Sequence, residues 1–143
     1  MKRFTFSLLF VLLAVTLQAQ QAKYVFYFIG DGMGLNQVNV TEMYLAEQDG
    51  GRIGTSPLCF ASFPYAGYAT SFSATNSITD SSAAGTALAT GVKTYNGAIG
   101  VNPDKEPVES VAVKAKRSGK RVGITTSVSI DHATPSAFYA HQE

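Results

Sequence analysis

The chain has 143 residues, a formal net charge of +1, 45% hydrophobic residues and 15% charged ones. So even a balance gives no electrostatic case for nucleic acid or another anionic surface. Cys59 is the only cysteine, which excludes an internal disulfide; set between Leu58 and Phe60, it reads as a buried apolar residue.

Lys2 and Arg3 precede an apolar run from Phe4 to Leu17, followed by Gln18-Ala19-Gln20-Gln21. This is the plan of a secretory signal peptide over residues 1–19, so the product is expected to be exported, to the periplasm or the medium. The run is shorter than the ~20 apolar residues that span a bilayer, and no second candidate follows, so no membrane span is expected in the mature chain.

Lys23 to Ile29 is aromatic, β-branched and apolar on both faces, the pattern of a strand buried on both sides. Gly30-Asp31-Gly32-Met33-Gly34 then makes a tight turn, and Asn36 to Glu47 reads as a helix ended by Asp49-Gly50-Gly51. From Phe63 to Ser73 aromatic and small residues alternate, as in a strand or hairpin arm. A helix built of Ala, Gly, Ser and Thr follows from about Asp80 to Thr90, stopped by Gly91, and Asn96-Gly97 is the strongest turn signal. Pro107 or Val108 to Ser118 is helical with Gly119 as C′ residue, Arg121 to Thr126 is a second buried strand, and Thr134-Pro135 opens a last helix. Alternating strands and helices give an α/β class with some parallel pairing. Pro135 to Glu143 reads as a helix just begun, the pattern of a fragment.

The small-residue helix has two explanations. Asp80, Ser81 and Ser82 are ordinary helix-capping types. Yet small side chains bury little apolar area, and they let a ligand approach backbone N–H groups that lack intrahelical partners at the positive end of the macrodipole. Asp31, Ser81 and the segment from Asp131 to Thr134 all fall at strand ends or helix starts, the edge where α/β sheets bind ligands. Glycines around Asp31 leave its carboxylate open to a cation. A dinucleotide fingerprint needs G-x-G-x-x-G where this turn has G-x-G-x-G; a Walker loop lacks its Gly-Lys-Ser/Thr; and an esterase elbow needs glycines where Thr79 and Ala83 stand. Thr134, taken alone, reads as an N-cap before Pro135, and His132 as a surface hydrogen-bonding residue; His141 reads as structural.

In this order, Ile29 to Gly34, Ile78 to Ala87, Gly91 to Gly100 and His132 to Pro135 resemble alkaline phosphatase. The resemblance covers nearly all of the chain after the leader and implies that residues 20–143 are the N-terminal part of a catalytic domain, a three-layer α/β/α sandwich around a mostly parallel sheet, incomplete in this fragment. It implies a parent enzyme that hydrolyses small phosphate monoesters with two zinc ions and one magnesium. Ser81 would be the zinc-facing nucleophile that becomes a phosphoserine, and Asp31 the carboxylate bridging magnesium and one zinc. Thr134 would be a hydroxyl ligand of magnesium, Asp80 would orient a phosphate-binding arginine, and His132 would be a ligand or a partner of one. The family's other ligands come from later sequence, so these residues alone are expected to be inactive. The family is commonly dimeric, which makes a homodimer an expected form. A phosphodiesterase or sulfatase of the same superfamily, or a non-catalytic secreted remnant, stays open as an alternative.

Overall fold

A computed structural model describes residues 22–143, so the signal-peptide expectation for residues 1–19 lies outside the described residues. The chain divides into two units, with the boundary between Gly30 and Asp31. In the first, residues 22–30 form neither helix nor strand, and Phe26 and Phe28, two positions apart, stack at 6.5 Å between ring centroids and 14° between planes. Lys23 Nζ lies 5.4 Å from the Tyr24 ring centroid. The composition favours an extended backbone, but Phe28 is 86% exposed. A strand buried on both faces also needs a ladder on each edge. Among the described residues only isolated bridges form, Ile99 with Gln142 and Val101 with Pro107, so the expected strand joins no ladder here.

The second unit begins with the turn at Asp31 and helix α1, Leu35–Gln48. Its N-cap, Gly34, offers no side chain, and its end is closed by Gly51 N–H on Glu47 O at 2.8 Å and Arg52 N–H on Ala46 O at 3.3 Å. Glu42 ties the following loop back, accepting Ser56 N–H on its carbonyl (2.9 Å) and Leu58 N–H on its carboxylate (3.0 Å). A 3₁₀ turn, Cys59–Ser62, contains no buried residue, so Cys59 has no core to enter and is exposed, against the sequence reading. Residues 63–73 form no strand either: the alternating aromatics meet no pairing edge, and Tyr65 and Tyr68 stand in solvent.

Helix α2, Ser81–Thr90, is capped by Asp80, whose Oδ1 accepts Ala83 N–H at 2.9 Å, and ends at Gly91 in the left-handed conformation. Helix α3, Val111–Arg117, is shorter than the pattern suggested because Ser110 caps it, its Oγ taking Val113 N–H at 3.2 Å, while Pro107 is held in the bridge with Val101. Its end is a Schellman motif: Gly119 N–H bonds Lys116 O at 3.0 Å and Lys120 N–H bonds Ala115 O at 3.1 Å. Residues 121–126, expected as a strand, are unpaired. Helix α4, Ala133–Ser136, starts two residues earlier than the Thr-Pro signal implied, with His132 rather than Thr134 as N-cap.

The core sits where α2 packs on α3 and α4. Its buried members are small: Ala83, Gly85, Thr86 and Ala89 of α2, with Ala98, Val101, Ser110 and Ala137. A Cβ on Gly85 would lie 3.2 Å from Ala137 Cβ and 3.4 Å from Thr134 Cα, so the bare backbone of α2 lets α4 approach. Thr86 Oγ1 takes Gly100 N–H at 2.9 Å, riveting the 94–101 loop to the middle of α2. Gly100 has a φ of +63°, and a Cβ there would lie 2.1 Å from Ala140 O. Its carbonyl faces His141 Nδ1 at 2.5 Å; a carbonyl can only accept, so that nitrogen carries the proton and His141 is structural.

Candidate active site

The close approach of α4 to α2 brings together three residues far apart in sequence. Asp31 comes from the glycine turn, Ser81 from the first position of α2 and Thr134 from the first turn of α4. Ser81 Oγ donates to Asp31 Oδ1 at 3.2 Å, and Thr134 Oγ1 donates to Asp31 Oδ2 at 2.9 Å. Thr134 therefore does not cap its helix; it lies inside the first turn and spends its hydroxyl on the carboxylate.

Asp80 holds the helix start from two sides. Besides Ala83 N–H on Oδ1, its Oδ2 accepts Gly97 N–H at 2.7 Å. Asp80 O takes Ala84 N–H at 3.0 Å, so the N–H groups of Ser81 and Ser82 are the ones left without an acceptor among the described residues. They lie at the positive end of α2, beside the Ser81 hydroxyl.

His132 is exposed, and the structure gives it a backbone role: its carbonyl accepts Ser136 N–H at 3.1 Å and its N–H bonds Ser129 O at 3.0 Å. Next to it, the Asp131 carboxyl is held below its ordinary pKa chiefly by a hydrogen bond from Ser129, with smaller help from its own backbone N–H and the His132 charge. Among the described residues no three His, Cys, Asp or Glu side chains cluster as a metal site. What converges is an oxygen set of one carboxylate and two hydroxyls, a donor chemistry suited to a hard cation such as magnesium.

The alkaline phosphatase family profile matches residues 22–143. The chain belongs to the alkaline phosphatase family. It is 59% identical over 66 residues to alkaline phosphatase 4 of Bacillus subtilis (strain 168), covering 46% of this chain and 14% of that protein. Among solved structures it is similar to a cold-active alkaline phosphatase from the psychrophile Shewanella sp., at 36% identity and a TM-score of 0.70, covering 80% of this chain and 29% of the other. It is also similar to a histidine-to-glutamate mutant of the alkaline phosphatase from the Antarctic bacterium TAB5, with Mg bound in the M3 site. That match has 34% identity and a TM-score of 0.62, covering 79% of this chain and 30% of the other. The chain thus spans well under a third of the length of these relatives, and its α/β class is that of the alkaline phosphatases.

Sequence reasoning singled out Asp31, Ser81 and the 131–134 segment by place, while the family resemblance alone gave Thr134 a role in the site. It read Asn96-Gly97 as a turn within a segment that resembles the family and gave neither residue a role, whereas Gly97 binds Asp80 and Asn96 Nδ2 donates to Ile78 O at 3.1 Å.

Proposed function

We propose that the protein is a hydrolase of small phosphate monoesters in which Ser81 Oγ accepts the phosphoryl group. The observation that carries this reading is the pair of hydroxyls, from Ser81 and Thr134, on the one carboxylate of Asp31. The Ser81 proton points at Asp31, which leaves the Oγ lone pairs free to meet phosphorus. As Oγ–P forms, the ester P–O bond breaks and the alcohol leaves with a proton. Water then cleaves the phosphoserine, returning Ser81 and inorganic phosphate. The Ser81 and Ser82 N–H groups are placed to take phosphoryl oxygens as charge builds on them.

Asp31 and Thr134 would hold magnesium, and Asp31 and Ser81 would face one of two zinc ions, with the remaining ligands supplied from outside these residues. Bound there, the cations would lower the pKa of the serine hydroxyl and offset charge on the leaving oxygen. His132, at the start of α4 beside Thr134, would stand at the magnesium side as a ligand or a partner of one; the TAB5 mutant, with Mg in its M3 site after loss of a histidine, supports that reading. Asp80 keeps a second lone pair on each oxygen, so it can orient an arginine while still holding α2.

The full fold would be the α/β/α sandwich, with 23–29 and 121–126 as sheet strands. Export rests on the pattern of residues 2–19. No helix among the described residues is long and apolar enough to cross a membrane. Dimer formation rests on the family alone.

The test is the complete gene product loaded with zinc and magnesium, assayed on a phosphate monoester, a diester and a sulfate ester. The monoester should turn over fastest, and Ser81→Ala should abolish both turnover and the phosphopeptide containing residue 81. A faster diester or sulfate ester would favour the other superfamily activities, and no turnover of any would favour a non-catalytic remnant.

A further inference from the structure

We propose that Asn96 is a positioning residue for Ser81, acting through the segment that leads into α2. This rests on Ser81 being the phosphoryl acceptor. Residues 78–80 set where Ser81 enters the helix, yet Ile78 is 79% exposed, so burial does not anchor them. Two hydrogen bonds from one turn do: Asn96 Nδ2 on Ile78 O at 3.1 Å and Gly97 N–H on Asp80 Oδ2 at 2.7 Å. The segment is gripped at both ends, and the second grip passes through Asp80 to Ala83 N–H at 2.9 Å, on the far side of Ser81.

The gripping turn is itself fixed. Thr94 and Ala98 on either side of it are fully buried, Gly97 has a φ of +92° that favours glycine, and Thr86 of α2 holds Gly100. A rigid turn docked on the middle of α2 therefore sets the approach to its first residue.

Asn96 Oδ1 is buried and has no hydrogen-bond partner among the described residues. Turning the amide over would put that oxygen against the Ile78 carbonyl, acceptor against acceptor, so the orientation is fixed by chemistry. An amide that leaves its acceptor unpaired is a poor choice for stability alone. Its donor is what the site uses. Because a displacement of about 1 Å can cost on the order of 100-fold in rate, losing this grip should be felt in chemistry more than in binding.

The experiment measures, on the metal-loaded complete gene product, the rate of Ser81 phosphorylation by rapid quench and phosphopeptide mass spectrometry, with KM and the thermal midpoint alongside. Asn96→Asp keeps size and removes the donor; Asn96→Ala removes both. Both should phosphorylate Ser81 about tenfold more slowly or worse, with KM within about twofold, and with a midpoint lowered by no more than about 4 °C. Wild-type phosphorylation rates in either variant overturn the proposal, as does failure of both to fold, or a KM that rises while the phosphorylation rate holds. If the wild-type protein turns over without ever labelling Ser81, the underlying functional reading fails instead, and the two failures are distinguishable.

Discussion

Thr134 donates its hydroxyl to Asp31 at 2.9 Å across 103 positions of sequence. Neither residue is held by a large apolar cluster; Asp31 is exposed and Thr134 half-buried. The contact exists because Gly85 allows α4 to lie against α2, which carries Thr134 to the same edge as Ser81. Small residues on α2 thus serve the packing of α4 first, and through that packing they build the site.

Replacing Thr134 by Val keeps shape and removes the hydroxyl, whereas Ser keeps the hydroxyl and loses only a methyl. Water can replace the lost bond at the exposed carboxylate, so Thr134→Val should cost no more than ~1 kcal/mol of stability. If Asp31 and Thr134 share a magnesium ion, Val should weaken its affinity on the order of tenfold, and Ser should keep it near wild type. Magnesium titration by calorimetry on the complete gene product checks both, and equal affinities in all three proteins would remove Thr134 from the site.

Gly85→Ala sets two effects of similar size against each other. Alanine is favoured over glycine in a helix by ~1 kcal/mol, while its methyl would press Ala137 at 3.2 Å. Gly85→Val adds bulk that cannot be absorbed and a β-branched side chain that the helix disfavours, so it should destabilise by about 2 kcal/mol or more. It should also lengthen the distance between Ser81 and Thr134. Chemical denaturation gives the first; metal affinity, falling in step with that of Thr134→Val, reports the second.

Local chemistry was legible in the sequence wherever it was sufficient. Gly91 ends α2 and Gly119 ends α3 as their positive φ requires, and Asp80 caps where its type suggests. The expected strands at residues 23–29 and 121–126 do not form, because pairing belongs to neighbours that composition cannot name. Cys59 was misread because its apolar flanks are not themselves buried. Asp31 and Ser81 could be named by place and Thr134 only through the resemblance, and their meeting on one carboxylate depends on Gly85 facing Ala137, which spacing does not encode.

Gly100 should tolerate no side chain. Alanine there would combine a left-handed φ of +63° with a Cβ 2.1 Å from Ala140 O, and that oxygen belongs to backbone that cannot swing aside. The bonds it anchors, to Thr86 and His141, would break together. Gly100→Ala should cost about 3 kcal/mol or more, seen as a lowered denaturation midpoint. His141→Phe, which removes only one of those bonds, should cost about half as much or less.

Lys105 and Glu143 join the 102–106 turn to the end of the chain at 2.9 Å. The hydrogen bond that Lys105 donates to Glu143, then the charge of Glu143 and that of Tyr95, raise the Lys105 pKa above its ordinary value of 10.5. A base whose pKa is higher in the folded state contributes stability that is complete below the unfolded value and disappears as pH climbs through the folded one. The pair should therefore help folding at pH 8, below the ordinary 10.5, and lose that help as pH climbs through the raised folded-state value. Both side chains are 59% exposed, so the effect should be small and should shrink further at 1 M salt. Thermal midpoints of the wild type and Lys105→Met from pH 8 upward make the comparison: the gap between the two curves should narrow as pH rises past the ordinary lysine value, and a constant gap would show that Glu143 contributes nothing through its charge.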